Sequence, residues 1–214
     1  MSDQKSLKKR IQAGESIRVV RVPIDATRSH LEDILSRGAC DLFFVDCQHG
    51  PFNEIELLRL CNTAEELGVP VEVRIKHPRQ AYLLGNYLDL GPLSLMVPLV
   101  EDEETVIEAI NSFYFPPLGK RSWGAVGYKL TEGRGRLEYA EWWNNNGILC
   151  FQFESVKAIV NARQLVKTGV DWISFGPNDL EFDLEMHSHS PFKTVDECKE
   201  YVVEQLKETQ VCIH

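Results

Sequence analysis

Six times along this chain a short apolar run rich in β-branched residues gives way to a segment with helical periodicity, and a seventh run has begun where the sequence stops. The runs are Ile17 to Pro23, Asp41 to Asp46, Val69 to Ile75, Leu93 to Val100, Ile148 to Phe153, Val170 to Phe175 and Val211 to Ile213. Runs this apolar suit strands buried on both faces, and strands that alternate with helices pair in parallel. Helices are expected from about Ser29 to Ser36, from near Asn53, from Pro78, after the acidic run Glu101 to Glu104, over Val156 to Lys167 and from Thr194. Two of these starts have capping-box spacing, Ser29 with Glu32 and Thr194 with Glu197. Six repeats and a seventh beginning fit an α/β fold of the TIM type, a (β/α) barrel, better than an open doubly wound sheet. No G-x-G-x-x-G or P-loop motif supports the latter.

No linker or low-complexity tract interrupts residues 1–214, so a single domain is expected, large enough for its own core. The irregular stretch from Tyr114 to Asn146 is too long for an ordinary connection and is read as a functional loop with some helix. A formal net charge of −9 argues against a general nucleic-acid or acidic-membrane surface. The N-terminus lacks the apolar core of a signal peptide, and no run is long enough to span a bilayer. Six scattered cysteines without a C-x-x-C pair read as buried thiols in a reducing, cytoplasmic setting.

A parallel barrel builds its site at the C-terminal ends of its strands. There the second strand ends in Asp46-Cys47-Gln48-His49, the third delivers Arg74, the fifth ends with Gln152 and Glu154, and the sixth runs into Gly176-Pro177-Asn178-Asp179. Two carboxylates on neighbouring strand ends are hard oxygen ligands suited to Mg²⁺ or Mn²⁺, although Asp179 could equally cap a helix turn. Of the six histidines only His49 falls on a strand end; His187 and His189 are expected in a polar, solvent-exposed loop.

The strings VDCQHGP (45–51), VEVRI (71–75), LMVPLVE (95–101), FPPLGKR (115–121), FQFES (151–155) and FGPNDL (175–180) stand in an order and at distances that closely resemble the HpcH/HpaI family of class II pyruvate-dependent aldolases. The resemblance implies a homo-oligomeric (β/α)₈ barrel that cleaves or forms a carbon–carbon bond through a pyruvate enolate, acting on a 2-oxo acid and an aldehyde. It assigns a divalent metal (Mg²⁺, Mn²⁺ or Co²⁺) to Glu154 and Asp179 and the keto oxygen to Arg74. Substrate orientation falls to Gln152, and carboxylate binding to the backbone around Gly176 and Asn178. His49 becomes the acid/base residue, paired with Asp89. The chain departs from the family pattern in having Gln48 where Glu is usual, Glu181 where a small residue is usual, and no final strand–helix unit. Those departures keep an alternative open: a binding or regulatory barrel without catalysis, or a decarboxylase or condensing enzyme of a specialised pathway.

Overall fold

The structure, a computed structural model, describes residues 6–124, 133–187 and 189–213. Seven parallel strands form one sheet in chain order: β1 (Val19–Arg21), β2 (Leu42–Asp46), β3 (Val71–Arg74), β4 (Ser94–Val97), β5 (Ile148–Phe153), β6 (Trp172–Phe175) and β7 (Cys212–Ile213). The sheet curls into an open barrel of the TIM type with one unit missing. No ladder joins β7 back to β1 among the described residues.

Each expected strand exists, β5 with the expected bounds and the others shortened at one or both ends. The expected helices also form: α2 (Arg28–Ser36), α3 (Glu54–Glu66), a 3₁₀ turn at Pro78–Leu83 running into α4 (Leu84–Leu88), α5 (Glu103–Phe113) and α10 (Val195–Leu206). Caps explain most starts. Asn53 accepts from the N–H groups of Ile55 and Glu56, Asp102 from Thr105 and Thr194 from Glu197. The capping box expected at Ser29 is not used, because Thr27 caps α2 by accepting from the His30 N–H. The single helix expected over Val156 to Lys167 breaks at Asn161 into α7 (Val156–Val160) and α8 (Ala162–Leu165).

Among the described residues, α1 (Leu7–Gln12) and α9 (Pro177–Met186) stand where no helix was expected, and α6 (Arg136–Asn146) is the helical part of the long irregular stretch. Residues 125–132 of the long irregular stretch lie outside the described residues, as do residues 1–5, Ser188 and His214.

Strand alternation divides the core into two parts. Phe43, Val45, Val71, Val73, Leu95, Val97, Leu149, Phe151, Phe153 and Ile173 face outward and bury themselves against the helices. The opposite set, Leu42, Met96, Ile148, Cys150 and Trp172, forms a second cluster inside the barrel, and Ile11 of α1 joins it. α1 covers the N-terminal mouth, where Lys8 Nζ bonds Asp171 (3.0 Å), the Tyr114 hydroxyl (3.2 Å) and the Gly147 carbonyl (3.0 Å). Breaking a buried, hydrogen-bonded pair of this kind costs about 3–5 kcal/mol, so α1 is fastened as well as packed. The N-terminal mouth is thereby closed, and chemistry is left to the other end.

Candidate active site

The same period-two alternation that sends apolar residues outward sends Asp46, Arg74, Gln152 and Glu154 inward. All four lie at the C-terminal ends of β2, β3 and β5, with Glu154 one residue past the end of its strand. They therefore meet at one rim, as expected for Arg74, Gln152 and Glu154.

Asp46 is 7% exposed and organises one half of the site. Its carboxylate accepts two bonds from Arg74, Nε to Oδ1 at 2.8 Å and Nη2 to Oδ2 at 2.6 Å. This fork-to-fork pairing fixes the plane of the guanidinium. Asp46 also accepts from the backbone N–H of Gln48 (3.1 Å) and His49 (3.4 Å) and from Arg21 Nη2 (2.8 Å). Burial alone would raise its pKa, but the hydrogen bonds and charge of Arg74 hold the carboxyl below its usual range. Arg74 Nη1 donates to Gln152 Oε1 at 3.1 Å. Counted against the five N–H groups of a guanidinium, two remain for a ligand.

The other half is carboxylate. Glu154 is 2% exposed; its Oε1 accepts the Leu99 N–H at 2.8 Å, while its buried Oε2 has no hydrogen-bond partner. Burial pushes its pKa up to about 7, and the neighbouring charge of Asp179 adds to that against the Leu99 N–H and Arg74. Leu99 takes a positive φ of 50°, a conformation rare for a branched residue. That backbone aims its N–H at Glu154. Asp179 is exposed in the first turn of α9, whose Pro177 start leaves the N–H groups of Asn178 and Asp179 without intrahelical partners. Gly176 lies against Glu154, and a Cβ there would sit 2.2 Å from Oε2 and 3.0 Å from Gln152 Nε2.

An orphaned buried carboxylate oxygen, a glycine that leaves room beside it and a second carboxylate on the next strand end together fit a hard divalent cation. Among the described residues no three His, Cys, Asp or Glu side chains converge. Such an ion would draw on Glu154 and Asp179, with the rest of its shell from water and substrate oxygens.

The expected His49–Asp89 pair is not formed. His49 is exposed on the β2 loop, and no hydrogen bond or ion pair joins it to Asp89 among the described residues. Asp89 instead accepts from Arg121 Nη2 at 2.8 Å, and Arg121 is stacked between Phe115 and Trp143 at 4.8 and 4.7 Å. The physical reason is burial: the Arg121 side chain is 2% exposed, and a buried guanidinium requires a counter-charge more than a solvated imidazole does.

Three features here were not expected from the sequence: Asp46 as the holder of Arg74, Arg21 as a rim neighbour of Asp46 outside the 2-oxo acid site, and the Leu99 N–H that fixes Glu154. The first two carry a signal, since each is a charged residue of inward parity at a strand end; a backbone donor at an unusual φ carries none.

Comparison with known proteins bears on this arrangement. The profile of the family described as HpcH/HpaI aldolase/citrate lyase matches residues 16–214. A 2-keto-3-deoxy-L-rhamnonate aldolase of Klebsiella pneumoniae is 30% identical over 165 residues, 75% of this chain and 60% of its own length. A 2-dehydro-3,6-dideoxy-6-sulfogluconate aldolase of Pseudomonas putida is 29% identical over 149 residues, 69% of this chain and 58% of its own. The chain thus spans about three fifths of the length of these relatives. The crystal structure of an HpcH/HpaI aldolase from Desulfitobacterium hafniense superposes with a TM-score of 0.80 at 29% identity, covering 98% of this chain and 81% of that one. A sequence match over nearly the whole chain and a shared fold agree: the chain belongs to the HpcH/HpaI aldolase/citrate lyase family.

Proposed function

We propose that this chain carries the site of a carbon–carbon lyase that enolises a pyruvate unit and joins it to, or releases it from, an aldehyde. The observation that carries the reading is the pairing of a fixed guanidinium with an orphaned carboxylate across one rim. Arg74 is locked by Asp46 and Gln152 with two N–H groups to spare, and Glu154 Oε2 is buried without a partner. A divalent ion held by Glu154 and Asp179 would supply Lewis acidity at the keto oxygen.

The chain's own residues do the rest. Arg74 donates to the keto oxygen as negative charge grows on it, and Asp46 keeps that donor from reorienting, so no reorganisation is needed during reaction. The free N–H groups of Asn178 and Asp179 receive the substrate carboxylate at the start of α9. Removal of a methyl proton falls to His49, whose imidazole stands exposed on the rim after β2. The relatives named above are aldolases acting on sugar-derived 2-oxo acids, which agrees with the reaction class.

A second reading, a barrel that binds a 2-oxo acid without turning it over, draws on the solvated His49 and on Asp89 being committed to Arg121. One experiment separates the two. In D₂O with Mn²⁺ or Mg²⁺, the methyl protons of pyruvate should exchange far faster than background by proton NMR. Arg74→Ala should slow the exchange by about 10²-fold or more, the usual cost of one oxyanion donor. Exchange at background with every divalent metal tried would favour the binding-only reading.

A further inference from the structure

Arg21 ends β1, and it faces the same space as the site. Val19, two residues earlier and of the same parity, lines the barrel interior with Phe44, Glu72, Arg74 and Gln152. Val20 and Val22 face the helices instead. The Arg21 side chain is 66% exposed, and its Nη2 reaches Asp46 Oδ2 at 2.8 Å, the same oxygen that Arg74 Nη2 reaches at 2.6 Å. Two guanidinium groups therefore stand side by side on one carboxylate.

Asp46 is shared by both guanidinium groups, while Arg74 alone also feels the charge of Glu154. Arg74 uses three of its N–H groups on Asp46 and Gln152 and is 11% exposed, so it is held in place. Arg21 places a single bond on Asp46, and its remaining donors open onto the mouth of the barrel. A planar fork with free N–H groups, beside a second guanidinium on a concave rim, recognises a carboxylate.

We propose that Arg21 is a specificity-determining residue that receives the distal carboxylate of a 2-oxo dicarboxylate, while Arg74 faces the 2-oxo end. The inference rests on the reading of the site given above and adds to it the charge of the substrate's far end. A neutral far end would leave the Arg21 donors to water and gain nothing from the second cation.

The test uses full-length protein loaded with Mn²⁺ and titration calorimetry, which needs no turnover. The probes are 2-oxoadipate and its 6-carboxamide, equal in size and different in distal charge, with pyruvate as the control for the 2-oxo acid site. Wild-type protein should bind 2-oxoadipate at least tenfold more tightly than the amide. Arg21→Gln should bring the two within twofold while pyruvate affinity stays within twofold of wild type, and Arg21→Lys should restore part of the preference. Wild-type protein that binds the two compounds equally, or an Arg21→Gln variant that keeps the preference, overturns the proposal. An Arg21→Gln variant that loses pyruvate and both probes alike also overturns it, since Arg21 would then act only by supporting Asp46 and Arg74. Wild-type protein that fails to bind pyruvate faults the site assignment itself, a failure that is read separately from that of Arg21.

Discussion

Glu72 sits one layer beneath Arg74 on β3, buried inside the barrel, and no ion pair holds it among the described residues. Ser94 Oγ donates to its Oε1 at 2.7 Å, and the residue lines a cavity of about 250 Å³. Burial pushes its pKa up to about 7 from an ordinary 4.5, partly offset by the Ser94 bond. Below pH 4.5 the carboxyl is neutral in both folded and unfolded chains, and pH has no leverage through it. Between 4.5 and 7 the unfolded chain loses this proton while the folded chain keeps it, so stability falls as pH rises. Above 7 the full penalty is present, on the order of 3 kcal/mol. Glu154, also raised to about 7, acts in the same direction. The metal-free wild-type protein should therefore show a falling urea midpoint between pH 5 and pH 8, and Glu72→Gln should remove part of that fall. A variant no more stable than wild type at pH 8 would show that the cavity already solvates the charge. Nothing in the sequence marks Glu72 as buried and unpaired: in VEVRI it reads as one polar residue within a strand, and only closure of the sheet around it reveals its surroundings.

At the scale of elements, the strand ends and the turn into α9 set the metal-binding half of the site. Gly176 has a φ of −99°, open to any residue, so its requirement is one of space and not of backbone conformation. A Cβ at this position would press on Glu154 Oε2 and Cβ, at 2.2 and 2.7 Å. Glu154 is held from the other side by the Leu99 N–H and cannot simply move away. Gly176→Ala should therefore fold, yet bind Mn²⁺ at least tenfold more weakly than wild type by calorimetry on chelator-stripped protein. Asp179→Ala should lose binding more completely, and unchanged affinity in both would detach the carboxylate pair from any metal. The strands and this turn were legible because their signals are local: continuous apolar, β-branched runs, a Gly-Pro pair, a cap. The rest was not, for equally physical reasons. α6 shows no amphipathic stripe and is held by a ring cluster in which Trp143 contacts Phe113 and Tyr139 contacts Phe115, contacts distant in sequence. α1, six residues long, is fixed by Lys8 reaching Asp171 across the barrel floor. Asp89 follows the same rule, taken by an Arg121 that lies 32 positions away in the chain.

For the molecule as a whole, the consequence to test is the open sheet. β1 and β7 each pair on one side only, with β2 and β6, so both present backbone N–H and C=O groups without a strand partner among the described residues. Their shortness, three and two residues, and the arginines at 18 and 21 blunt these edges as natural proteins commonly do. Against this stands the apolar wall beside them: Val19 is 36% exposed, and Phe44, Met96 and Trp172 line the interior cavity that Val19 borders. Charge and shortness discourage unlimited strand addition, but they do not cover an apolar interior, so a defined partner surface is favoured over open-ended aggregation. We expect this chain to be dimeric or larger at micromolar concentration, with the β1–β7 opening at or near the contact. Size exclusion coupled to light scattering gives the mass directly, and Val19→Lys should shift it toward monomer because a charge would then have to be desolvated in the contact. A monodisperse monomer with a cooperative thermal transition would show that seven strands and the α1 plug close this core without help.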